Sequence, residues 1–299
     1  MHLDVVVLGS ANLDLVLRVA AIPAPGETVL ATGQDRFPGG KGLNQAVAAA
    51  RSGARTAMIA GLGHDAAGDE LLQAMHDDGI DTSAVRRVDE PTGTALIVVQ
   101  DTGENSIVVA AGANSALTAL SAEAQQAVTS ASVLVAQLEV PLAVVAQAAA
   151  AARAAGTTVV LNAAPAQPLD DALLDLVDVL VVNEHEASSL TGVEDPVRSA
   201  VALTERVGEV VVTLGADGAA HVDSDRNVTR APGVAASVVD TTGAGDTFVG
   251  VLAASLAAGS TVAAAVRRAV TAGAVSVETV GAVPSIPTRE AVDERLHAS

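Results

Sequence analysis

The sequence contains no cysteine, no tryptophan and no tyrosine, and its aromatic content is limited to Phe37 and Phe248. Without cysteine the chain cannot form disulfides, bind a metal through thiolates or use a thiol nucleophile, although this leaves its compartment undecided. With so few rings it also cannot build a platform on which nucleic-acid bases stack. Alanine, valine and leucine must therefore fill the core, and 50% of the 299 residues are apolar, enough for one large domain.

Basic residues are scarce as well. The chain has 16 lysines and arginines against 35 aspartates and glutamates, which gives a formal net charge of −19. Such a surface repels nucleic acids and anionic lipids, so we expect neither as a partner. A polyanionic substrate must then be received by a local device, because the field of the whole molecule opposes its approach.

Long hydrophobic runs are nearly absent. The stretch 247–266 carries no charged residue, but glycine and serine at 250, 255, 259 and 260 interrupt it, which favours buried helices over a membrane span. The N-terminal residues lack the basic segment and the long apolar core of a signal peptide. We therefore expect a cytoplasmic protein. The six histidines are scattered without a His-Glu-x-x-His spacing, which disfavours a zinc hydrolase.

Short runs of β-branched residues without charge recur along the chain and predict strands that are buried on both faces. They lie at 5–8, 133–135, 158–161, 179–182 and 210–214. Segments rich in alanine and leucine, such as 142–155 and 170–177, predict helices between the later runs. This alternation predicts an α/β fold with a central, mostly parallel sheet and helices on both faces.

Two segments break this rhythm. The segments at about 25–38 and 94–111 alternate between polar and apolar residues and contain turn signals such as 101–105. Neither segment has a helix between its closely spaced strands. We expect them to form a small antiparallel β lid on a single domain that spans residues 1–299. A further pair of runs, 218–222 and 227–230, predicts a surface hairpin.

Polar residues follow most of the predicted strands, where the carboxyl ends of a parallel sheet form a crevice for ligands. They are Asn12, Asp14, Gln137, Glu139, Asn162, Asn183 and Glu184, and Gly215 follows the last run. A polar turn residue at one strand end is common. Five strands that end this way together favour a binding site.

The run 240–246 contains glycines that permit a tight turn, and the apolar residues after it begin a helix. Backbone N–H groups at the start of such a helix, together with its dipole, form an anion site suited to a phosphate in transfer. Asp246 follows Gly245 directly, where its carboxylate can accept a proton from an attacking hydroxyl. An N-capping aspartate on a glycine-rich turn is the structural alternative.

A second glycine-rich run, 39–44, leads into an alanine-rich helix predicted at 45–52. It is not a Walker P-loop, because Gly42 follows Lys41 where that motif needs serine or threonine. Its glycines let the backbone approach a ligand closely. Lys41 and Asn44 offer hydrogen-bond donors that suit a polyhydroxylated sugar.

Together these runs resemble the two signatures of the ribokinase-like carbohydrate kinase family, and the resemblance covers nearly the whole chain. The segment 183–186 is similar to the Asn-x-x-Glu motif of the family, and 63–68 is similar to another shared stretch. The order and spacing of two signatures make the match specific. The resemblance implies a ribokinase-like fold. It also implies an enzyme that transfers the γ-phosphoryl group of ATP to the 5-hydroxyl of D-ribose, giving D-ribose 5-phosphate and ADP.

The resemblance also implies a role for each matching position. Asp246 is the base, and Gly243, Ala244 and Gly245 form the anion hole. The residues that hold the sugar are Asn12, Asp14, Gly40, Lys41, Asn44, Glu139 and Asp246. The residues along ATP are Asn183, Thr213, Gly215, Gly218 and Gly245. Glu186 positions Mg²⁺ through water, and the positions around K⁺, several of them acting through backbone carbonyls, are Asp240, Thr242, Ser276, Thr279, Gly281 and Ser285.

Two further implications concern assembly and the nucleotide. The family resemblance implies a homodimer built through the β lid. Val270 stands where relatives often carry asparagine or histidine near the adenine, so base recognition departs from the family pattern.

Two other functions remain open at this stage. One is a related kinase for another acceptor, either a sugar such as 2-deoxyribose or a fructose-type sugar, or a nucleoside. The polar residues Asn12, Asp14, Lys41 and Glu139 disfavour this alternative, and the scarcity of aromatic rings leaves nothing on which the base of a nucleoside could stack. The other is a non-catalytic sugar-binding module, which leaves the intact turn at 243–246 without a purpose.

Overall fold

The computed structural model describes residues 2–102 and 104–298. Met1 and Ser299, the ends of the domain predicted over 1–299, lie outside the described residues. So does Gly103, within the turn predicted at 101–105.

The chain alternates strands and helices along most of its length. The strands are β1 (Leu3–Leu8), β2 (Asn12–Val19), β3 (Gly33–Gly39), β4 (Thr56–Ile59), β5 (Gly61–Gly63), β6 (Arg86–Val88), β7 (Gly93–Gln100), β8 (Asn105–Ala110), β9 (Ala131–Ala136), β10 (Thr158–Asn162), β11 (Val179–Asn183), β12 (Glu209–Thr213), β13 (Gly218–Val222) and β14 (Val228–Pro232). The helices are α1 (Lys41–Arg51), α2 (Ala66–Asp77), α3 (Ala122–Ser130), α4 (Leu142–Ala155), α5 (Asp171–Leu174), α6 (Glu184–Thr191), α7 (Pro196–Leu203), α8 (Ala244–Ala257), α9 (Val262–Ser276), α10 (Ala282–Ser285) and α11 (Arg289–Ala298).

Eight strands form the main sheet in the order β14-β13-β12-β11-β10-β9-β1-β4. All neighbours from β4 to β12 are parallel, whereas β12, β13 and β14 pair antiparallel. The α/β prediction is confirmed, and the five predicted runs fall in β1 and in β9 to β12. The sequence patterns missed β4, and the hairpin predicted at the surface extends the main sheet instead, with β13 buried along its whole length.

Alternate residues of the central strands pack into two apolar layers. In β1, Val5 and Val7 contact the layer that contains α1, α8 and α9, whereas Val6 and Leu8 contact the layer that contains α3, α4 and α7. Because both faces are covered, the strand is a continuous apolar run rather than an alternating one. The carboxyl ends of these strands are left as the accessible edge of the sheet.

The lid is a separate sheet of four strands in the order β3-β2-β7-β8. Its outer pairs, β2–β3 and β7–β8, are antiparallel, and its central pair, β2–β7, is parallel. The segment predicted at 94–111 supplies β7 and β8. The segment predicted at 25–38 forms a strand only from Gly33, because 25–32 is irregular, and β2 is a lid strand that the sequence patterns did not predict.

The helices follow the predictions at some positions and depart from them at others. Helix α4 has the predicted bounds, but α1 begins at Lys41 rather than at residue 45, and the segment predicted at 170–177 is helical only over Asp171–Leu174. The uncharged stretch 247–266 lies mostly in α8 and the start of α9. In the described part of the chain, none of the helices combines the length and hydropathy needed to cross a bilayer.

Candidate active site

A polar cavity of about 240 Å³ opens where the main strands end. Its lining includes Lys41 at the start of α1, Asn183 and Glu186 at the start of α6, and Asp246 in the first turn of α8. These side chains come from three helices that each follow or adjoin a strand end, which is where ligands bind in open α/β sheets.

A second cavity of about 690 Å³ adjoins the first and is lined mainly by alanine, valine and glycine. Thr213, Thr241 and Gly245 line both cavities, so the two meet at the start of α8. The positions predicted along ATP lie here or at the junction, except Asn183, which lines only the smaller cavity. Val270, the residue that departs from the family pattern, also lines the larger cavity.

Gly243 caps the N-terminus of α8, and its backbone is left-handed, with φ of 75°. A side chain there would be strained in that conformation, and its Cβ would lie 3.2 Å from the Cα of Ala282. The tight turn therefore needs this glycine and delivers Gly245 and Asp246 into the first helical turn. That turn carries the positive end of the helix dipole toward the junction of the two cavities.

Asp246 is buried, and each of its carboxylate oxygens accepts a hydrogen bond from α1. Asn44 Nδ2 donates to Oδ2 and Gln45 Nε2 donates to Oδ1, both at 2.9 Å. The two helices approach closely because α8 carries Gly250, where a Cβ would lie 2.4 Å from Gln45 O. Asp246 is therefore held in one orientation at the wall of the smaller cavity, as a proton acceptor needs to be.

Lys41 opens α1 directly after Gly40, whose φ of 90° again needs glycine. The negative charge of Asp246 raises the pKa of the Lys41 ammonium, against burial, and Glu139 and Glu186 add to the effect. Lys41 is therefore a permanent positive charge in an otherwise acidic site.

Asn12, Glu139 and their partners form the wall where the lid joins the body. Glu139 Oε2 accepts hydrogen bonds from Ser10 Oγ at 2.5 Å and from Lys41 N at 3.2 Å. Asn12 Oδ1 accepts from Asn114 Nδ2 at 2.7 Å, which orients its amide. The fixed oxygens and amides suit the hydroxyl groups of a small sugar.

Asp14 lies beside this wall on β2 and is also buried. Burial raises the pKa of its carboxyl to about 7, and the charges of Glu139 and Asp246 act in the same direction. The neighbouring strand leaves room for it only because residue 39 is glycine, since a Cβ at Gly39 would lie 2.1 Å from Asp14 Oδ2. A glycine in the lid sheet therefore makes room for Asp14, one of the residues predicted to hold the sugar.

Asn183 and Glu186 form a reciprocal cap at the start of α6. Asn183 Oδ1 accepts from Glu186 N, and Glu186 Oε2 accepts from Asn183 N, both at 2.8 Å. Burial raises the pKa of the Glu186 carboxyl, although the Asn183 hydrogen bond and the Lys41 charge oppose the shift. The carboxylate lines the smaller cavity together with Gly245 and Asp246 of α8.

The positions predicted around K⁺ lie in two segments: Asp240 and Thr242 precede α8, and the other four lie between the end of α9 and the end of α10. Asp240 joins the two segments: Gly281 N donates to its Oδ2 at 2.8 Å, and Thr242 donates to its Oδ1 through N and Oγ1 at 2.9 and 2.6 Å. Burial opposes the shift, but these hydrogen bonds lower the pKa of Asp240, so it is ionised. Ser276 and Ser285 donate to nearby carbonyls of their own segments. Thr279 lies between these serines, and its N–H donates to Ser276 O.

Acidic and histidine side chains by themselves do not provide a metal site in the described part of the chain. Within residues 2–102 and 104–298, they form no group of three or more that could do so. Any metal at Glu186 or Asp240 must therefore take its other ligands from the backbone, hydroxyls, water or substrate.

Sequence reasoning missed three residues that shape the site. Ser10 bonds to Glu139, Asn114 orients Asn12, and Gln45 bonds to Asp246. Gln45 could have been noticed as a polar residue inside a run of alanine and valine in α1. Asn114 could not, because it reaches Asn12 across about one hundred residues of chain.

Comparisons with known proteins agree with this geometry. The family model described as pfkB family carbohydrate kinase matches residues 2–289. A ribokinase of Haemophilus influenzae is 41% identical over 304 residues, covering 99% of both chains. A bifunctional ribokinase/ribose-5-phosphate isomerase A of Fructilactobacillus sanfranciscensis is 40% identical over 298 residues, and the chain spans 55% of its length. A solved structure of Arabidopsis thaliana ribokinase complexed with ribose and ATP superimposes with a TM-score of 0.94 at 34% identity, with both chains fully covered.

Proposed function

The chain belongs to the pfkB family of carbohydrate kinases, and from that membership we propose that it phosphorylates D-ribose with ATP at the 5-hydroxyl. The observation that carries the proposal is that the two cavities meet at Gly245, directly before Asp246 in the chain. The smaller cavity is polar and acidic, whereas the larger one is apolar and has room for a nucleotide. Full-length identity of 41% to a ribokinase supports ribose as the acceptor.

In the proposed reaction, Asp246 takes the proton of the 5-hydroxyl as that oxygen attacks the γ-phosphorus of ATP. Asn44 and Gln45 hold its two oxygens, so the carboxylate need not reorient. The proton moves to Asp246, the new P–O bond forms, and ADP leaves with the electron pair of the broken bond. Gly243, Ala244 and Gly245 receive the transferred group at the positive end of α8.

The sugar-side residues hold ribose with its 5-hydroxyl toward Asp246. They are Asn12, Asp14, Gly40, Lys41, Asn44 and Glu139. ATP lies along Asn183, Thr213, Gly215, Gly218 and Gly245, with its base in the larger cavity. Lys41 balances charge between the carboxylates and the phosphates. Closure of the lid excludes water, which would otherwise compete as acceptor.

The donor sets around Glu186 and Asp240 fit the two cations that such a reaction needs. Glu186 offers one carboxylate beside the phosphate cavity, which suits Mg²⁺ held mainly by phosphates and water. Asp240 is ionised and stands with Thr242, Ser276, Thr279, Gly281 and Ser285 among hydroxyl and carbonyl oxygens, a set suited to K⁺. When bound, both ions neutralise negative charge that develops on the phosphates.

The monovalent site has its own test. We expect K⁺ to stimulate turnover, and we expect Asp240→Asn to abolish most of that stimulation because the substitution removes the negative charge that Asp240 contributes. Initial rates of ADP release are measured with 0 to 100 mM KCl at constant ionic strength, held with tetramethylammonium chloride. Equal stimulation of both proteins would contradict the assignment.

The proposal also includes a homodimer formed through the lid and a cytoplasmic location. Strand β8 is an edge of the lid sheet, and all of its residues are exposed. Its apolar side chains favour a partner surface. A cytoplasmic location follows from the requirement for ATP.

Release of ADP with Mg-ATP and a panel of acceptors tests the proposed function. We expect ribose to be the preferred acceptor over 2-deoxyribose, fructose and adenosine. A site built to pair the 2-hydroxyl rejects the deoxy sugar, because its polar groups are left unpaired. Preference for another acceptor would overturn ribose but keep the kinase. Silence with every acceptor would point to a sugar-binding module.

A further inference from the structure

A chain of buried side-chain amides lies directly behind Asp246. Gln45 in α1 is fully buried, and its Nε2 donates to Asp246 Oδ1 at 2.9 Å and to Asn162 Oδ1 at 3.0 Å. Gln137, after β9, is equally buried, and its Nε2 donates to Gln45 Oε1 at 2.6 Å. The carbonyl and both N–H bonds of the Gln45 amide are therefore all engaged.

We propose that Gln45 is a positioning residue that fixes the orientation of Asp246 for proton transfer. This inference rests on the proposed function, because it concerns the base of that reaction. Gln45 acts through Asp246 rather than on the substrate: Asp246 and Asn162 line the smaller cavity, whereas Gln45 is absent from the described lining of either cavity.

The direction of the Gln45 amide is set by Asn162 and Asp246. Asn162 Nδ2 donates to Val181 O at 3.3 Å, so Asn162 Oδ1 is turned toward Gln45 and needs a donor there. A flipped Gln45 amide would place its oxygen against the oxygens of Asn162 and Asp246, so one orientation satisfies both neighbours and gives Asp246 a donor. Gln137 Nε2 donates to the Gln45 carbonyl, but Gln137 Oε1 has no hydrogen-bond partner, so Gln137 holds this orientation without selecting it.

The backbone is shaped to admit this cluster. A Cβ at Gly9 would lie 1.9 Å from Gln137 Oε1, so a larger residue at position 9 would displace that amide. A Cβ at Gly250 would lie 2.4 Å from Gln45 O and would push α1 away from α8. Elsewhere this interface is made of alanine, valine and leucine, such as Ala46, Val249 and Leu252. Three buried amides in such surroundings need mutual pairing to be tolerated, and here the pairing ends on the reactive carboxylate.

Different residues restrain the two carboxylate oxygens of Asp246. Asn44, predicted to hold the sugar, restrains Oδ2. Gln45 restrains Oδ1 from the protein interior. Loss of Gln45 should therefore change the step in which Asp246 takes the proton and leave the sugar contacts in place.

The test compares Gln45→Met with the wild-type chain, because methionine keeps the length of the side chain and removes its hydrogen bonds. We expect kcat to fall about 10- to 100-fold, the cost of a reacting group displaced by less than about 1 Å. We expect the KM for ribose to stay within about threefold, as for an interaction that matters only in the transition state. Gln147→Met, on the exposed side of α4, is the matched control and should behave as wild type.

A second variant keeps the test decisive if Gln45→Met does not fold, as judged by thermal melting. Gln137→Met removes the hydrogen bond to Gln45 Oε1 that helps to hold the Gln45 amide in place, and it leaves Gln45 and Asp246 themselves unchanged. We expect roughly a fivefold lower kcat at constant KM, equivalent to the loss of one hydrogen bond.

The outcomes separate this inference from the proposed function. Wild-type turnover with the acceptor panel decides the function, and the ratio of variant to wild type with the preferred acceptor decides the role of Gln45. A folded Gln45→Met with kcat within twofold of wild type would overturn the positioning role. So would a variant in which only KM changes, or an unaltered Gln137→Met when Gln45→Met is unfolded.

Discussion

The protonation state of Asp14 depends on the other carboxylates that surround the proposed sugar position. It shares the site with Glu139 and Asp246, and burial, reinforced by those charges, raises its pKa to about 7. In the ligand-free protein the carboxyl is therefore protonated over most of the acidic range. A sugar hydroxyl needs an acceptor, and a protonated carboxyl offers fewer than a carboxylate does.

This shift predicts that ribose binds more weakly as the pH falls below about 7. Protonation of Asp14 competes with the sugar, so the KM for ribose should rise by up to about tenfold per pH unit in that range. Steady-state KM values between pH 5.5 and 8.5 measure this. Asp14→Asn, which cannot titrate, should give a higher KM without this pH dependence. The same pH dependence in the variant would assign it to another group.

At the scale of elements, the lid strands begin and end on the residues of the sugar side. Strand β2 begins at Asn12, β3 ends at Gly39 and β7 begins at Gly93. A Cβ at Gly93 would lie 2.3 Å from both Asn12 Oδ1 and Asn114 Nδ2. Small residues at these strand ends therefore let the lid backbone close tightly over the polar side chains.

Two glycines of β3 provide a matched pair for this point. Gly39→Ala would place a methyl group 2.1 Å from Asp14 Oδ2, whereas the nearest atom at Gly33 is 3.6 Å away, on the Arg18 side chain. We expect Gly39→Ala to raise the KM for ribose at least about tenfold, because one displaced contact to a charged group is worth roughly 1.5–3 kcal/mol. Gly33→Ala should leave KM unchanged. Equal KM values for the two variants would show that Asp14 does not contact the sugar.

Local pattern was enough to predict most of the main sheet but less of the lid. Helix α4 and strands β9 to β12 follow from periodicity, since each is covered on both faces or amphipathic. Strand β2 was missed because Asn12 and Asp14 have the pattern of polar residues at the end of β1, only four residues upstream. The parallel pairing of β2 with β7 depends on segments about eighty residues apart, and no local pattern encodes that register.

The residues of the site also fall into two groups, those that the local sequence predicts and those that it does not. Glycine-rich turns indicate where backbone must approach a ligand, so Lys41 and Asp246 could be selected from sequence. Partners such as Asn114 and Ser10 could not, because they depend on how distant segments fold together. Gln45 lies between these cases: it is a buried polar residue next to a motif, and only the approach of α8 shows its purpose.

At the scale of the whole molecule, a net charge of −19 makes the location of each basic group important. ATP approaches against the overall field, and Lys41 with the start of α8 forms the local attraction. The edge of the lid sheet that β8 forms carries apolar rather than charged residues. Ile107, Val108 and Val109 on β8 are 54%, 65% and 51% exposed, on an edge strand that is free to pair with another chain.

The exposed edge predicts that the lid holds two copies together. Val108→Lys should shift the protein toward a monomer in sedimentation velocity, because a charge would be buried in an apolar contact. Val228→Lys on β14, the edge of the main sheet, is the control, since Val228 is also exposed at 44%. We expect that variant to sediment as wild type. Unchanged sedimentation of Val108→Lys would exclude β8 from the interface.

The most direct measurement of the proposed chemistry compares wild type with Asp246→Asn. ADP release with Mg-ATP and ribose is followed, the product is identified by phosphorus NMR, and ribose binding is measured by calorimetry. We expect D-ribose 5-phosphate from the wild type and a fall of about 10²–10⁴ in turnover for the variant, with ribose still bound. Turnover of the variant close to wild type would contradict Asp246 as the base, and with it the reaction placed at this site.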